Sequence, residues 1–121
     1  MNNNEIVNKI KSHLPLRIHS IQWDGTILNM YGPDWNFTTM SAWRLKKNNR
    51  VTCGCFDKNS IELIKNINEL QIVDFTFTDD SLIDPIFLLS NGSHLEVFAT
   101  DTYEPWTLHI DQLGSLIPPI T

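Results

Sequence analysis

Residues 86–99 read IFLLSNGSHLEVFA, two apolar stretches hinged on Asn91-Gly92. Asn-Gly between alternating apolar residues is the strongest short-range sign of an antiparallel hairpin. A two-residue type I′ turn needs left-handed backbone, which Asn and Gly adopt at little cost. A turn centred there pairs Leu88 with Leu95 and Ile86 with Val97 on one face, and sends Phe87 and Glu96 to the other. An antiparallel ladder is therefore the frame into which the rest of the chain must fit.

Outward from this hairpin the pattern stays mostly period two. Val73, Phe75 and Phe77 are expected on one face of a strand, with Ile72, Asp74, Thr76 and Thr78 on the other. Downstream, Trp106, Leu108 and Ile110 alternate with Thr107, His109 and Asp111, so a further strand should continue the apolar face of the hairpin. The tail Leu116 to Ile120 contains Pro118-Pro119 and can form at most an edge strand. Upstream, Arg17 to Trp23 and Thr26 to Tyr31 flank Asp24-Gly25, and a two-residue turn there pairs Ile21 with Leu28 and His19 with Met30. Trp35 to Met40, Ser41 to Lys47 and Arg50 to Phe56 complete a meander; a two-residue turn at Asn48-Asn49 sets Trp43 opposite Gly54.

Two segments break the alternation. Asn4 to Leu14 carries Ile6, Val7, Ile10 and Leu14 at helical spacing and ends before Pro15. Asp57 to Ile67 has Asn59 or Ser60 as a cap, with Ile61, Ile64 and Ile67 three residues apart. The sequence thus predicts a single α+β domain over residues 1–121. It has one principal, mainly antiparallel and strongly twisted β-sheet, open to a half-barrel or a sandwich, with an N-terminal helix and a short mid-chain helix.

The net charge of −5 hides an uneven split. Residues 1–58 hold eight Lys/Arg against four Asp/Glu, and residues 59–121 hold one against ten. Such a carboxylate-rich half repels nucleic acid phosphates and attracts a basic protein, so a nucleic acid partner is not expected. Arg44, Lys46, Lys47 and Arg50 flank one turn near Trp35 and Trp43, yet a charged hairpin tip that protects a sheet edge is the plainer reading. No apolar run approaches the ~20 residues of a membrane-spanning helix, and the amino end lacks a signal-like pattern, so a cytoplasmic protein without a membrane partner is expected. Cys53 and Cys55 fit neither a CxxC motif nor a usual zinc site and are read as reduced, structural thiols.

Chemistry-bearing patterns are otherwise missing from the sequence. The five glycines form no phosphate-binding loop. His13, His19, His94 and His109 form no metal-ligand spacing, although His94 and His109 could meet across adjacent strands. Paired acids in the loops at Asp79 to Asp84 and Asp101 to Glu104 lack an apolar neighbour that would separate their pKa values. No catalytic residue, metal or cofactor is expected, and the chain is not expected to be an enzyme.

The segment DPIFLLSNGSHLEVFATDTYEPWTLHI, with Trp43-Arg44-Leu45 and the short helix after Phe56, resembles a family of small bacterial proteins. Its members end in a strand, an Asn/Asp-Gly turn, Leu-Glu-Val-Phe and Tyr-Glu-x-Trp. That family is similar to the immunity proteins of polymorphic toxin systems, including contact-dependent growth inhibition. The resemblance implies a cytosolic protein that binds a cognate toxin domain and blocks it without chemistry of its own. The matched motif residues are Leu95-Glu96-Val97-Phe98 and Tyr103-Glu104-Pro105-Trp106, and Trp106 and Phe98 could equally be core anchors.

A basic nuclease domain is the toxin that the charge split fits best. Asp79, Asp80, Asp84, Asp101 and Glu104 would compete for its Lys and Arg residues, with Tyr103 as a rigid anchor and Glu96 completing the partner-binding set. The other expectation is a small ligand-binding or enzymatic β domain with a pocket lined by Trp35, Trp43, Phe75 and Phe77.

Overall fold

The computed structural model describes residues 3–99 and 104–117. Its strands are β1 (Leu16–Arg17), β2 (Ser20–Trp23), β3 (Leu28–Tyr31), β4 (Trp35–Thr39), β5 (Ala42–Lys47), β6 (Arg50–Gly54), β7 (Gln71–Phe77), β8 (Pro85–Leu89), β9 (His94–Phe98), β10 (Trp106–Ile110) and β11 (Gly114–Leu116). Helix α1 (Asn3–Lys11) opens the chain, and α2 (Ser60–Leu63) runs into a 3₁₀ turn (Ile64–Ile67). The fold is α+β and antiparallel, as the alternation predicts. Of the forms left open for the sheet, the strands take the sandwich: two sheets, ordered β1-β7-β8-β9-β5-β6 and β11-β10-β4-β3-β2, neither of which closes into a barrel.

The sheets pack face to face through aromatic side chains. Phe37 of β4 meets Phe87 of β8 with ring centroids 4.8 Å apart, and Trp23 of β2 meets Trp43 of β5 edge to face at 5.5 Å. Both geometries match the ring quadrupole preference for tilted contacts. Inward positions alternate along nearly every strand, as in Trp35, Phe37 and Thr39 on β4 or Leu95 and Val97 on β9. Strand β10 buries Trp106, Leu108 and Ile110 as expected, but it lies in the second sheet beside β4. It faces the hairpin's apolar side across the core instead of extending it.

Loop length decides the register. In the β8–β9 hairpin Leu89 N donates to Ser93 O at 2.8 Å and Gly92 N to Leu89 O at 3.0 Å, which makes a three-residue loop of Ser90, Asn91 and Gly92. Of the pair Asn91-Gly92 only Gly92 has positive φ, whereas a type I′ turn requires it at both positions. Phe87 therefore opposes Leu95, and Phe87 and Leu89 face the core in place of the expected Ile86 and Leu88. The Asp24-Gly25 loop is longer still. Trp23 pairs with Leu28 and Ile21 with Met30, a slip of two residues that changes the partners but keeps every face. Asn48-Asn49 does form the two-residue turn, with φ 54 and 62.

Two bulges escape a period-two reading. A register shift between Ile72 and Asp74 lets Ile72, Phe75 and Phe77 all face inward and leaves Val73 exposed. Another in β6 places Arg44, not Trp43, opposite Gly54, and the Trp43 carbonyl instead accepts the Cys55 amide.

The helices are shorter than their spacing suggests. α1 ends at Lys11, where turns of three residues replace helical bonds ahead of Pro15, because the residue before proline is disfavoured in the helical region. It packs against β7, with Ile6 and Ile10 in the core. In the middle segment Ile64 and Ile67 are buried because three-residue spacing aligns side chains on a 3₁₀ turn, while Ile61 is exposed. Ser60 is buried there instead, accepting a hydrogen bond from Trp23 Nε1 at 3.1 Å.

Candidate functional site

Ion pairs redraw the charge map of the sequence. Lys11 meets Asp74 at 3.4 Å, Arg17 meets Glu69, and Arg44 meets Glu96 at 2.6 Å. Each joins a cation of the first half to an acid of the second, so much of the linear asymmetry cancels on folding. Asp79, Asp80, Asp84 and Glu104 have no cation within ion-pair distance among the described residues. Asp79, Asp80 and Asp84 share the β7–β8 loop, so three of these uncompensated acids lie within six residues of one another.

Strand ends hold these loops together. The β7–β8 loop is closed by Thr78 N donating to Asp84 O, and Asp84 Oδ1 accepts the Ala99 amide at 2.9 Å, which ties the loop to the end of β9. Trp106 Nε1 donates to the Ile83 carbonyl at 2.7 Å, and the Pro105 carbonyl accepts the hydroxyls of Thr39 and Ser41 at 2.7 and 3.2 Å. Three connections thus meet at one end of the sandwich: β4–β5, β7–β8 and the approach to β10. Leu82 is buried at φ 58 and exposed Glu104 sits at φ 54, so packing around the loop holds backbone that most residues avoid.

Asp79 and Asp80 are exposed on this loop, and Asp84 is half-buried because it serves the Ala99 amide. The Asp79 carboxylate accepts the Ser81 hydroxyl and, at 2.9 Å, the Ser81 amide; these bonds hold its pKa below the usual value and keep it anionic. Glu96 lies apart, on the outer face of the six-stranded sheet, where Arg44 neutralises it and spans to the Phe98 ring at 5.0 Å. Asp101 and Tyr103 lie outside the described residues. Of the two aromatic motif residues, Trp106 is core and Phe98 is half-buried beneath Arg44.

Sequence reasoning missed two exposed apolar side chains beside the acids. Met40 is 66% exposed between Thr39 and Ser41, the residues that grip Pro105, and Ile83 is exposed on the acidic loop itself. A Thr-Met-Ser break between two alternating strands was the only signal for the first.

Comparisons with protein family models, curated proteins and solved structures return no match. The chemistry of the site therefore rests on its own geometry. Trp35, Trp43, Phe75 and Phe77, expected around a pocket, are all buried in the core between the sheets. His94 and His109 do not meet: His94 opposes Lys46 in one sheet, whereas His109 lies in the other, bonded to Ser115 and Asp111. Burial, then the charges of Asp57 and Cys55, push the Cys53 thiol up in pKa, away from the thiolate that a nucleophile needs. No group of metal-ligating side chains occurs among the described residues, and no helix there is long and apolar enough to cross a membrane.

Proposed function

We propose that this chain is an immunity-type inhibitor, which docks its acidic end onto a basic toxin domain and occludes that domain's substrate cleft. One observation carries the reading: carboxylates left without cations are gathered beside Met40 and Ile83 on loops braced by Asp84 and Trp106. Carboxylates on a braced scaffold attract a cationic surface and limit the ordering cost of binding. Occlusion of this kind requires no catalytic group. A nuclease domain fits because its substrate cleft must itself be cationic to bind phosphates.

The test is association with a basic nuclease-type toxin domain, to be sought among the products of neighbouring genes, measured by calorimetry at low and moderate salt. The double reversal Asp79→Lys with Asp80→Lys should weaken binding by at least about tenfold and flatten its salt dependence, in a protein that still unfolds cooperatively. Met40→Ala should weaken it without altering the salt slope. Full affinity in the charge-reversed protein would overturn the reading.

A further inference from the structure

The cations left over by the ion pairs are as unevenly placed as the acids. Lys46 and Lys47 end β5 and Arg50 begins β6, all at the Asn48-Asn49 turn, and none has a carboxylate within 4 Å among the described residues. Register brings a second hairpin alongside: Lys46 is the cross-strand partner of His94, which follows the Ser90–Gly92 loop. Between the two tips lies a concavity of about 240 Å³, lined by Lys46, Lys47, Asn48, Asn49, Gly92 and His94.

Apart from Gly92, every residue of that lining carries a side chain able to donate a hydrogen bond, and none is a carboxylate. Lys46 and Lys47 both border the notch, one from each face of the end of β5, so an anion seated there lies in the field of two positive charges. The acidic loop does not quench them. It precedes β8 at Pro85, the notch follows β8 at Leu89, and five strand residues separate the two by roughly 17 Å, about two Debye lengths at physiological salt.

We propose that this notch is an oxyanion site that takes the phosphoryl group of a small phosphorylated ligand. Lysine acts as a point charge toward phosphoryl oxygens and needs no fork geometry, and a phosphoryl monoester brings close to two negative charges at neutral pH. The Asn amides and the His94 ring supply further donors around those charges. This inference is independent of the acidic end: it concerns the opposite end of the same strands and stands or falls without a protein partner.

The probe is pyrophosphate, titrated into the isotope-labelled protein and followed by amide chemical shifts, with sodium chloride at matched ionic strength as the control. Saturable shifts confined to residues 46–49 and 92–94 are expected with pyrophosphate and not with chloride. Removing both lysines, as Lys46→Ala with Lys47→Ala, should weaken binding by about tenfold or more, since one charge-assisted hydrogen bond is worth at least about a factor of ten. Lys47→Ala alone, at an exposed turn-flanking position, tests the same point should the double variant unfold. Linear shifts, equal shifts with chloride, or unchanged affinity in the lysine variants would overturn the site. So would saturable binding of a short oligonucleotide without any response to pyrophosphate, which would mark a nucleic acid surface instead.

Discussion

Asp84 accepts the Ala99 amide through its side chain at 2.9 Å, so one acid of the charged loop is also the clasp between that loop and β9. Surface charge and loop stability are therefore coupled at this residue. Asp84→Ala removes the acceptor and should cost about 1.5–3 kcal/mol in urea unfolding, the range for hydrogen bonds to charged groups. Asp84→Asn keeps a carbonyl acceptor and should cost less, while removing the same charge from the surface. If both variants unfold at the wild-type midpoint, the clasp does not hold the loop.

Arg44 and Glu96 form a different kind of pair. The Glu96 side chain is only 14% exposed and Arg44 40%, and the guanidinium also covers the Phe98 ring. A double-mutant cycle with Arg44→Ala and Glu96→Ala should give a coupling of about 1 kcal/mol, against near zero for the exposed Glu62–Lys65 pair at 3.5 Å. Under the proposed docking, Glu96→Gln should leave affinity for the basic partner unchanged, because the carboxylate is already matched within the sheet. Equal coupling in the two pairs would show that burial adds nothing here.

Acid sensitivity should come from three carboxylates. Asp24 is held below its ordinary pKa of 3.8 by the amides of Ile27 and Thr26, Glu69 below 4.5 by the hydrogen bond and then the charge of Arg17, and Asp79 by the Ser81 hydroxyl and amide. A carboxyl with a depressed folded pKa contributes stability that is complete above its unfolded pKa and is lost as pH falls through the folded one. These groups therefore add nothing to the pH dependence near neutrality, and their contribution declines below roughly pH 4.5. Cys53 has the opposite sign, with stability lost as pH rises through its raised thiol pKa, above 9.0. Melting temperatures across pH should show the acid limb, and Arg17→Ala should shift it. In Ser81→Ala the Asp79 titration, read by carbon NMR, should return toward 3.8.

The limits of the sequence reading fall on residues that local patterns do not constrain. Period-two alternation revealed the strands because one face of each meets the core, and Leu95, Val97, Trp106 and Leu108 are buried as that pattern requires. Turn length was another matter. Asn91-Gly92 suits both a two-residue turn and a three-residue loop with left-handed Gly92, and packing chose the second because it buries Phe87 against Phe37 and Phe75. Sheet membership depends on contacts remote in sequence, so β10 beside β4 could not be read from the strand itself. The acids of the β7–β8 loop were visible as residues, but their isolation from cations was not. That property emerges only when Lys11, Arg17 and Arg44 are spent elsewhere.

Gly32 supplies the sharpest test of the packing. Trp35 Nε1 donates to the Arg17 carbonyl at 2.9 Å, and a Cβ built on Gly32 would collide with both of those atoms. One collision is with backbone, which cannot rotate away, and the other is with an indole that is 3% exposed. Gly25 and Gly92 present the contrast, since each has positive φ but open space where a Cβ would go. Gly92→Ala should therefore cost only the left-handed backbone penalty of about 1–2 kcal/mol. Gly32→Ala must displace Trp35 or the β1 backbone, and should cost more than about 3 kcal/mol or prevent folding altogether. Urea unfolding of the two variants side by side decides the matter: equal losses would mean that the turn before β4 yields to a methyl group, and that the bond from Trp35 to Arg17 does not fix the second sheet against the first.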